Sequence, residues 1–301
     1  MTAKLLSGAE VAQAILAQAK TDADELKAKG INPKLVVFRV GEDPGSISYE
    51  KGIIKTVNDV NIDFANYIFP ENVTQEEFIA KLKEANDDKN VSGILVFKPL
   101  PAQLDEEEIK YTLNTLKDPD AMNPANLGKL MIEDERGFSP CTPEGVMEMF
   151  AHYGIDLVGK DVVVINRSVV FGKPMAMMLA AASATVTICH SKTKNLAEKC
   201  KAADIVITAV GRYGMVTPDM LNENAVLIDV AMSQKKDKEG NFVLNEKGKK
   251  IRTGDSLEEC AEKAAMITSA TPGCGGGTGP ITSALLTKHL IKGCKMLNGL
   301  L

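Results

Sequence analysis

No apolar run in this 301-residue chain approaches the roughly 20 residues that span a bilayer. The opening Met1-Thr-Ala-Lys-Leu-Leu6 leads into an amphipathic pattern and lacks a signal-peptide core, so a cytoplasmic location is expected. The six cysteines are scattered without a C-x-x-C pair, and with no export signal reduced thiols are expected rather than a disulfide framework. The three histidines show no metal-ligand spacing, and no metal site is expected. Basic excess is missing as well. A net charge of -5 argues against a nucleic-acid-binding surface. The dinucleotide fingerprint G-x-G-x-x-G is also absent. With 45% hydrophobic and 25% charged residues, the chain has ample material for a folded core, and its length suggests about two domains.

The most informative stretch is Val164-Ile165-Asn166-Arg167-Ser168-Val169-Val170-Phe171-Gly172-Lys173-Pro174. An apolar strand runs into a loop holding Arg167, Ser168 and Gly172, and a helical stretch from Met175 to Ala182 follows. A strand, a tight loop and a helix N-terminus together form an anion cradle, because backbone N–H groups and the helix dipole point at the loop. Asn166 stands where the fingerprint has its first glycine.

Strand and helix patterns alternate along the chain. Gly8–Ala28 reads as an amphipathic helix and Lys34–Val40 as a buried strand. Ser46–Asn61 reads as a helix, Ala65–Phe69 as a strand, and Thr74-x-x-Glu77 as a capping box opening a helix to about Asp87. Val91–Phe97 is a further strand. The second half repeats the alternation with strands at Val162–Ile165, Ala184–Cys189, Ile205–Thr208 and Ala225–Val230. The charged segment Ser233–Arg252 is compatible with a surface β-excursion or a solvated loop, and Ile281–Leu297 with an amphipathic helix packing back on the first domain. The expected fold class is α/β: two α/β domains around a cleft, the second a Rossmann-like parallel sheet. The boundary falls near Thr142-Pro143-Glu144-Gly145, with a return near Pro280.

The strand ending Val186–Cys189 leads into His190, Ser191 and Lys192. An NAD-binding fold usually has a carboxylate here for the ribose 2′-hydroxyl. None is present, and these residues with Arg167 suit a 2′-phosphate, which favours NADP with NAD still open. Ala209-Val210-Gly211 after the next strand is small enough for a nucleotide to approach the backbone. The glycine-rich run Thr271–Gly279 either wraps a ligand or serves as a return linker.

Several motifs occur in order: Val40-Gly-Glu-Asp-Pro-Gly-Ser46-x-x-Tyr49; Gly93-Ile-Leu-Val-x-x-Pro99-Leu100-Pro101; Lys117-Asp-Pro-Asp120-x-x-x-Pro124-x-Asn126-x-Gly128; Pro140-Cys-Thr-Pro-x-Gly145; Arg167-Ser168-x-x-x-Gly172-x-Pro174; Cys189-His-Ser-x-Thr193; and Gly279-Pro280-x-Thr282. This ordered set resembles the methylenetetrahydrofolate dehydrogenase/methenyltetrahydrofolate cyclohydrolase family over nearly the whole chain. The resemblance implies oxidation of 5,10-methylenetetrahydrofolate with NADP or NAD in one-carbon metabolism, and a homodimer. It implies a folate-binding catalytic domain over 1–142 with the C-terminal helix 281–301, and a NAD(P)-binding domain over 143–280. Tyr49 matches the tyrosine that stacks on the folate ring system, and Asp120 the aspartate that binds the pterin amino edge. Pro99, Leu100, Gly279, Pro280 and Thr282 fall in segments that line or close over the substrate. Asn166, Arg167, Ser168, Gly172, Pro174, His190, Ser191, Lys192, Ala209 and Gly211 are the expected cofactor-binding residues.

The departures concern hydrolysis. Bifunctional members of the family carry a lysine four residues after the tyrosine; this chain has Ile53. The family Gln-Leu pair is Phe97-Lys98, the Gly and His after the pterin aspartate are Ala121 and Asn123, and the run after Pro272 is longer. Hydride transfer gains mainly from proximity and orientation, whereas hydrolysis of the methenyl product needs a group that moves a proton. Cyclohydrolase activity is therefore expected to be weak or absent, unless Lys98 is a relocated base; the other reading of Lys98 is a solvated strand-end charge. A folate- and nucleotide-binding protein without turnover, and a dehydrogenase for another pterin, remain as alternatives.

Overall fold

The structure, a computed structural model, describes residues 3–237 and 239–301. In chain order the elements are β1 (Lys4–Leu5), α1 (Gly8–Ala28), β2 (Lys34–Val40), α2 (Pro44–Asp59), β3 (Asp63–Phe69), α3 (Gln75–Asp87), β4 (Gly93–Val96), α4 (Glu106–Thr112), α5 (Pro124–Met131), α6 (Cys141–Tyr153), β5 (Asp161–Ile165), α7 (Gly172–Ala181), β6 (Thr185–Cys189), α8 (Leu196–Ala202), β7 (Ile205–Thr208), β8 (Val226–Asp229), β9 (Ser233–Gln234), β10 (Arg252–Thr253), α9 (Cys260–Lys263), β11 (Met266–Thr268) and α10 (Gly279–Leu297).

Two compact units result. One comprises Gln13–Cys141 and Ser283–Leu301. Its parallel sheet has the order β3-β2-β4. The middle strand carries a continuous buried run, Leu35–Phe38, as a strand covered on both faces must. Local chemistry sets the helix starts. Asp43 accepts from Ser46 N (2.7 Å) and Pro44 occupies the first turn, so α2 begins two residues earlier than the sequence pattern suggested. The Thr74–Glu77 capping box opens α3. The other end of α3 is closed by a buried lysine: Lys117 Nζ donates to the carbonyls of Asn86 (2.6 Å) and Asp88 (2.7 Å). Arg39 and Glu50, both buried, pair at 2.8 Å, and Asn66 satisfies the second carboxylate oxygen at 2.6 Å.

The other unit comprises the chain up to Ala12 together with Thr142–Thr282. Its six-stranded parallel sheet has the order β1-β11-β8-β7-β5-β6. The chain passes from β5 to β6 on one side and returns with β7 on the other, so the strand order reverses at β5. Ligands of open α/β sheets bind outside the carboxyl ends of the strands at such a reversal. One domain expectation is corrected. The N-terminal residues, assigned by sequence to the first domain, belong to the six-stranded sheet: β1 pairs with β11, and Leu6 N donates to Ile267 O (2.8 Å). A two-residue strand is too short to carry a periodic signal.

Ser233–Arg252 is a β-excursion. β9 and β10 pair antiparallel, and bridges join Lys236 to Phe242 and Leu244 to Lys250. Three segments close on one another: Lys235 N donates to Ile251 O, Ile251 N to Val243 O, and Val243 N to Lys235 O. Two like turns make this possible. Asp237 accepts from the amides of Glu239 and Asn241, and Asn245 from those of Lys247 and Lys249. The six cysteines are buried, and none forms a disulfide among the described residues. Among the described residues no helix is long and apolar enough to cross a membrane, and no group of three or more His, Cys, Asp or Glu could hold a metal ion.

The rings of Phe38, Phe69 and Phe78 cluster with centroids 5.0–5.7 Å apart in the core of the three-stranded unit. Phe78→Ala should lower the free energy of unfolding by about 3–5 kcal/mol through lost burial and the cavity left behind. Urea unfolding checks this, and a loss under about 1 kcal/mol would mean the cluster collapses around the gap.

Candidate functional site

The expected substrate residues of the three-stranded unit gather beyond the carboxyl end of β4. Phe97 extends the ladder, donating its N–H to Phe38 O (2.9 Å), and its buried ring lies 5.3 Å from that of Tyr49 at a 35° tilt. Tyr49 remains 43% exposed and offers an open aromatic surface. Desolvation pushes its hydroxyl upward, and the charge of Asp120 adds to the push, so the phenol stays neutral. Asp120 Oδ1 accepts from Cys141 N at 2.8 Å. Crowding pushes the Asp120 carboxyl upward, opposed by hydrogen bonds from Cys141 and by the charges of His289 and Lys98; an exposed flank lets water screen that push. The peptide before Asp120 is also held: His289 Nδ1 lies 2.7 Å from Pro119 O, and because a carbonyl only accepts, Nδ1 is the donor. Sequence reasoning missed His289, whose helix pattern marks it only as buried.

Lys98 takes the other direction from Phe97. Its ammonium pairs with Glu106 in the first turn of α4, and Glu106 is shared with Lys110 at 2.8 Å. Lys98 is 43% exposed, and the Lys98-Pro99 peptide is cis. Pro99 is exposed and Leu100 half-buried. Ile53, one turn after Tyr49, is 1% exposed and wholly apolar.

Behind Asp120 sits Asp118, 1% exposed. It accepts from Met122 N (2.9 Å), Asn123 N (2.8 Å) and Asn126 Nδ2 (2.9 Å), yet burial pushes its carboxyl up to about 6. Asn123 in turn caps α5, accepting from Ala125 N at 2.9 Å. Ala121 is held at φ 51°, a left-handed conformation that a Cβ makes costly by about 1–2 kcal/mol.

The expected cofactor residues lie on the six-stranded unit. Ile165 pairs with Cys189 on one side and Thr208 on the other, so the loops after β5, β6 and β7 leave one edge together. Asn166 stitches the first loop: Oδ1 accepts from Ser168 N (2.7 Å) and Gly172 N (3.2 Å), and Nδ2 donates to Ala209 O. Gly172 has no room for a side chain, since a Cβ would lie 2.2 Å from Asn166 O. The open amide cradle expected from the sequence is thus largely filled from within. Phe171 N goes to Ser168 Oγ (3.2 Å), Lys173 N to Ser168 O (3.0 Å), and Pro174 has no N–H. What remains for an anion is side chains. Arg167, Ser191 and Lys192 are exposed, and no partner for their side chains is found among the described residues. His190 is oriented for its place: Lys192 N donates to His190 Nδ1 (3.1 Å), which leaves Nε2 to carry the proton. No carboxylate follows β6. This donor set fits a 2′-phosphorylated dinucleotide better than a free ribose hydroxyl.

The glycine-rich run packs tightly against its own unit: Gly275, Gly276 and Gly277 take φ of 57°, 78° and 62°, and a Cβ on Gly8 would meet Gly277 O at 1.5 Å. Gly279 and Pro280 open α10, and Thr282 Oγ1 donates to Thr278 O (3.3 Å).

Comparison with known proteins accounts for both halves. Residues 6–120 match the tetrahydrofolate dehydrogenase/cyclohydrolase catalytic domain, and residues 140–298 the NAD(P)-binding domain of the same proteins. The chain belongs to the tetrahydrofolate dehydrogenase/cyclohydrolase family. It is 42% identical over 296 residues to the bifunctional protein FolD of Clostridioides difficile, covering 98% of each chain. The crystal structure of the bifunctional FolD methylenetetrahydrofolate dehydrogenase/cyclohydrolase of Campylobacter jejuni superposes with a TM-score of 0.88 at 37% identity, covering 97% of this chain and 99% of that one. The Trypanosoma brucei FolD, solved with NADP cofactor and an inhibitor, gives 0.87 at 30% identity and 98% coverage of both. Against the family pattern, Asn123 is explained by its capping role and Phe97 by its packing on Tyr49. Nothing in the structure explains Ala121.

Asp118 supplies a test of this half-site. Its folded carboxyl titrates near 6, above the ordinary carboxylate range, so its contribution to stability is present at low pH and is lost as pH rises through about 6. On going from pH 7 to pH 5 the wild type should gain about 1 kcal/mol of stability more than Asp118→Asn. Equal gains in urea unfolding of the two proteins would sink this assignment.

Proposed function

We propose that this protein is a 5,10-methylenetetrahydrofolate dehydrogenase that uses NADP, with NAD as a poorer substitute, and that its methenyltetrahydrofolate cyclohydrolase step is weak. The observation that carries the reading is the retained pair of Tyr49 and Asp120, with Phe97 behind the tyrosine, in a chain that matches this family from end to end. Tyr49 offers a ring face to a flat pterin, and Asp120 accepts from its amino edge. Pro99, Leu100, Gly279, Pro280 and Thr282 complete the substrate surroundings. Asn166, Ser168, Gly172, Pro174, Ala209 and Gly211 shape the cofactor loops, and Arg167, His190, Ser191 and Lys192 take the 2′-phosphate. When bound, NADP supplies the hydride acceptor. This chain's residues contribute orientation, since a carbon-to-carbon hydride transfer requires no proton from the protein.

Hydrolysis of the methenyl product asks for more. Water adds to a cation, and a proton must then leave the adduct and reach the opening ring nitrogen. The Ile53 side chain has no proton to move, and the Phe97 ring has no hydrogen bond to give. Lys98, next to Phe97, is the substitute that the sequence offers in the neighbouring motif. We assign its ammonium, held by Glu106, to stabilising the Asp120 carboxylate rather than to taking a proton from water. Assembly as a homodimer and a cytoplasmic location belong to the same proposal; sedimentation equilibrium tests the first.

With 5,10-methylenetetrahydrofolate and NADP, the methenyl product should accumulate and decay at its uncatalysed rate, in wild type and in Lys98→Met alike. Prompt 10-formyl product in wild type that disappears in Lys98→Met would instead make Lys98 the base. Arg167→Ala should raise the KM for NADP about tenfold and leave that for NAD nearly unchanged, as loss of one charged phosphate contact predicts; an equal rise for both cofactors would remove Arg167 from the 2′-phosphate site.

A further inference from the structure

Asp255 lies in a segment that sequence motifs do not mark, and it is fully buried. Its carboxylate collects donors from two separate stretches. Oδ2 accepts from Thr208 Oγ1 (2.9 Å) and Val210 N (2.7 Å); Oδ1 accepts from Arg212 N (2.5 Å) and Ser233 Oγ (3.1 Å). Two of these donors belong to the loop that leaves β7, and Thr208 ends that strand. The fourth stands at the base of the β-excursion. The excursion also ends beside Asp255, because Thr253 pairs with Ser233 two residues earlier.

The carboxylate is itself fixed from behind. Asp255 N donates to Asp229 Oδ1 (2.9 Å), while Ser256 donates to Asp229 Oδ2 through its N (2.7 Å) and Oγ (2.6 Å). Asp229 terminates β8 beside Thr208 of β7. Gly254 is required between them, since a Cβ there would lie 2.1 Å from Asp229 Oδ2. The loop Ala209–Arg212 has no ladder of its own, and Gly211 takes φ 73°. The N–H groups of Val210 and Arg212 both go to one carboxylate, and the Val210 side chain stays 42% exposed.

We propose that Asp255 is the positioning residue for the cofactor-facing loop Ala209–Arg212, and that through Ser233 it makes the geometry of this loop depend on the base of the excursion. The proposal rests on the reading of this unit as the NADP-binding one. Buried carboxylates with all lone pairs engaged hold their donors in one arrangement. An asparagine in place of Asp255 offers a single acceptor oxygen, and its amide group would confront either the Val210 and Thr208 donors or the Arg212 and Ser233 donors. The loop would then lose half of its fixings, although no residue that touches cofactor had been changed.

The test combines NADPH fluorescence titration with steady-state kinetics on the full-length protein. Asp255→Asn should raise the Kd for NADPH and the KM for NADP at least tenfold. The KM for the folate and kcat at saturating NADP should change less than threefold. Ser233→Ala, a milder change that keeps Asp255, should raise the KM for NADP about threefold, and Ser233→Thr, which keeps the hydroxyl, should restore it. If Asp255→Asn does not fold, the two Ser233 variants decide. Unchanged NADP affinity in Ser233→Ala and in folded Asp255→Asn overturns the positioning role, as does a joint rise in both KM values. A wild type that binds no NADPH overturns the cofactor reading and this inference together.

Discussion

A parallel strand ends at the same edge as its neighbours, and the loops leaving that edge carry amides with no ladder to join. A buried amide must still be paired. In this protein, side-chain oxygens meet that demand at each place where a ligand is expected. Asn166 gathers Ser168 and Gly172, Asp255 gathers Val210 and Arg212, and Asp118 gathers Met122 and Asn123. Each of these acceptors sits one to three residues from a residue proposed to touch ligand, or bonds directly to its loop. Burial drives Asp118, and Asp229 behind Asp255, up to about 6 in spite of their donors. Loop shape and carboxylate desolvation are two sides of one arrangement.

Much of the scaffold was legible in the sequence because burial leaves a periodic trace. Gly8–Ala28, Lys34–Val40 and Ile205–Thr208 appear with the limits their patterns suggest. The capping box at Thr74 is a local event with a local signature. Other features have none. β1 is two residues long. The closed three-segment excursion depends on a spacing of eight between Asp237-x-x-Gly240 and Asn245-x-x-Gly248, which is visible once the turns are known and is easily lost in a charged stretch. The site residues divide in the same way. Tyr49, Asp120 and Arg167 stand in motifs, whereas Asp255 and His289 act through partners up to 47 and 170 residues away. Asn166 reads in the sequence as a missing glycine, and its side-chain bonds turn it into the organiser of the loop.

The departures around the substrate half-site follow a common physical direction. Ile53 and Phe97 put side chains that can only pack where bifunctional family members have a lysine and a glutamine; Ile53 lies one turn after Tyr49, and the Phe97 ring packs on that tyrosine. Lys98 keeps a charge in the neighbourhood but shares it with Glu106, itself shared with Lys110. Such a surface favours alignment of flat molecules over proton traffic, which suits a reaction whose chemistry is supplied by the reactants.

The filled N-terminus of α7 has a further consequence. A phosphate held by backbone amides in a dry cradle is little affected by dissolved salt, whereas one held by exposed cations is screened over a Debye length of about 8 Å at physiological ionic strength. With the amides of Ser168, Phe171 and Gly172 engaged internally and Arg167 and Lys192 in solvent, the proposed preference for the more highly charged dinucleotide would be a property of the medium as well as of the protein. On that proposal dilute buffer would sharpen the discrimination and concentrated salt would blunt it, so the electrolyte in which the protein works would take part in choosing its redox partner.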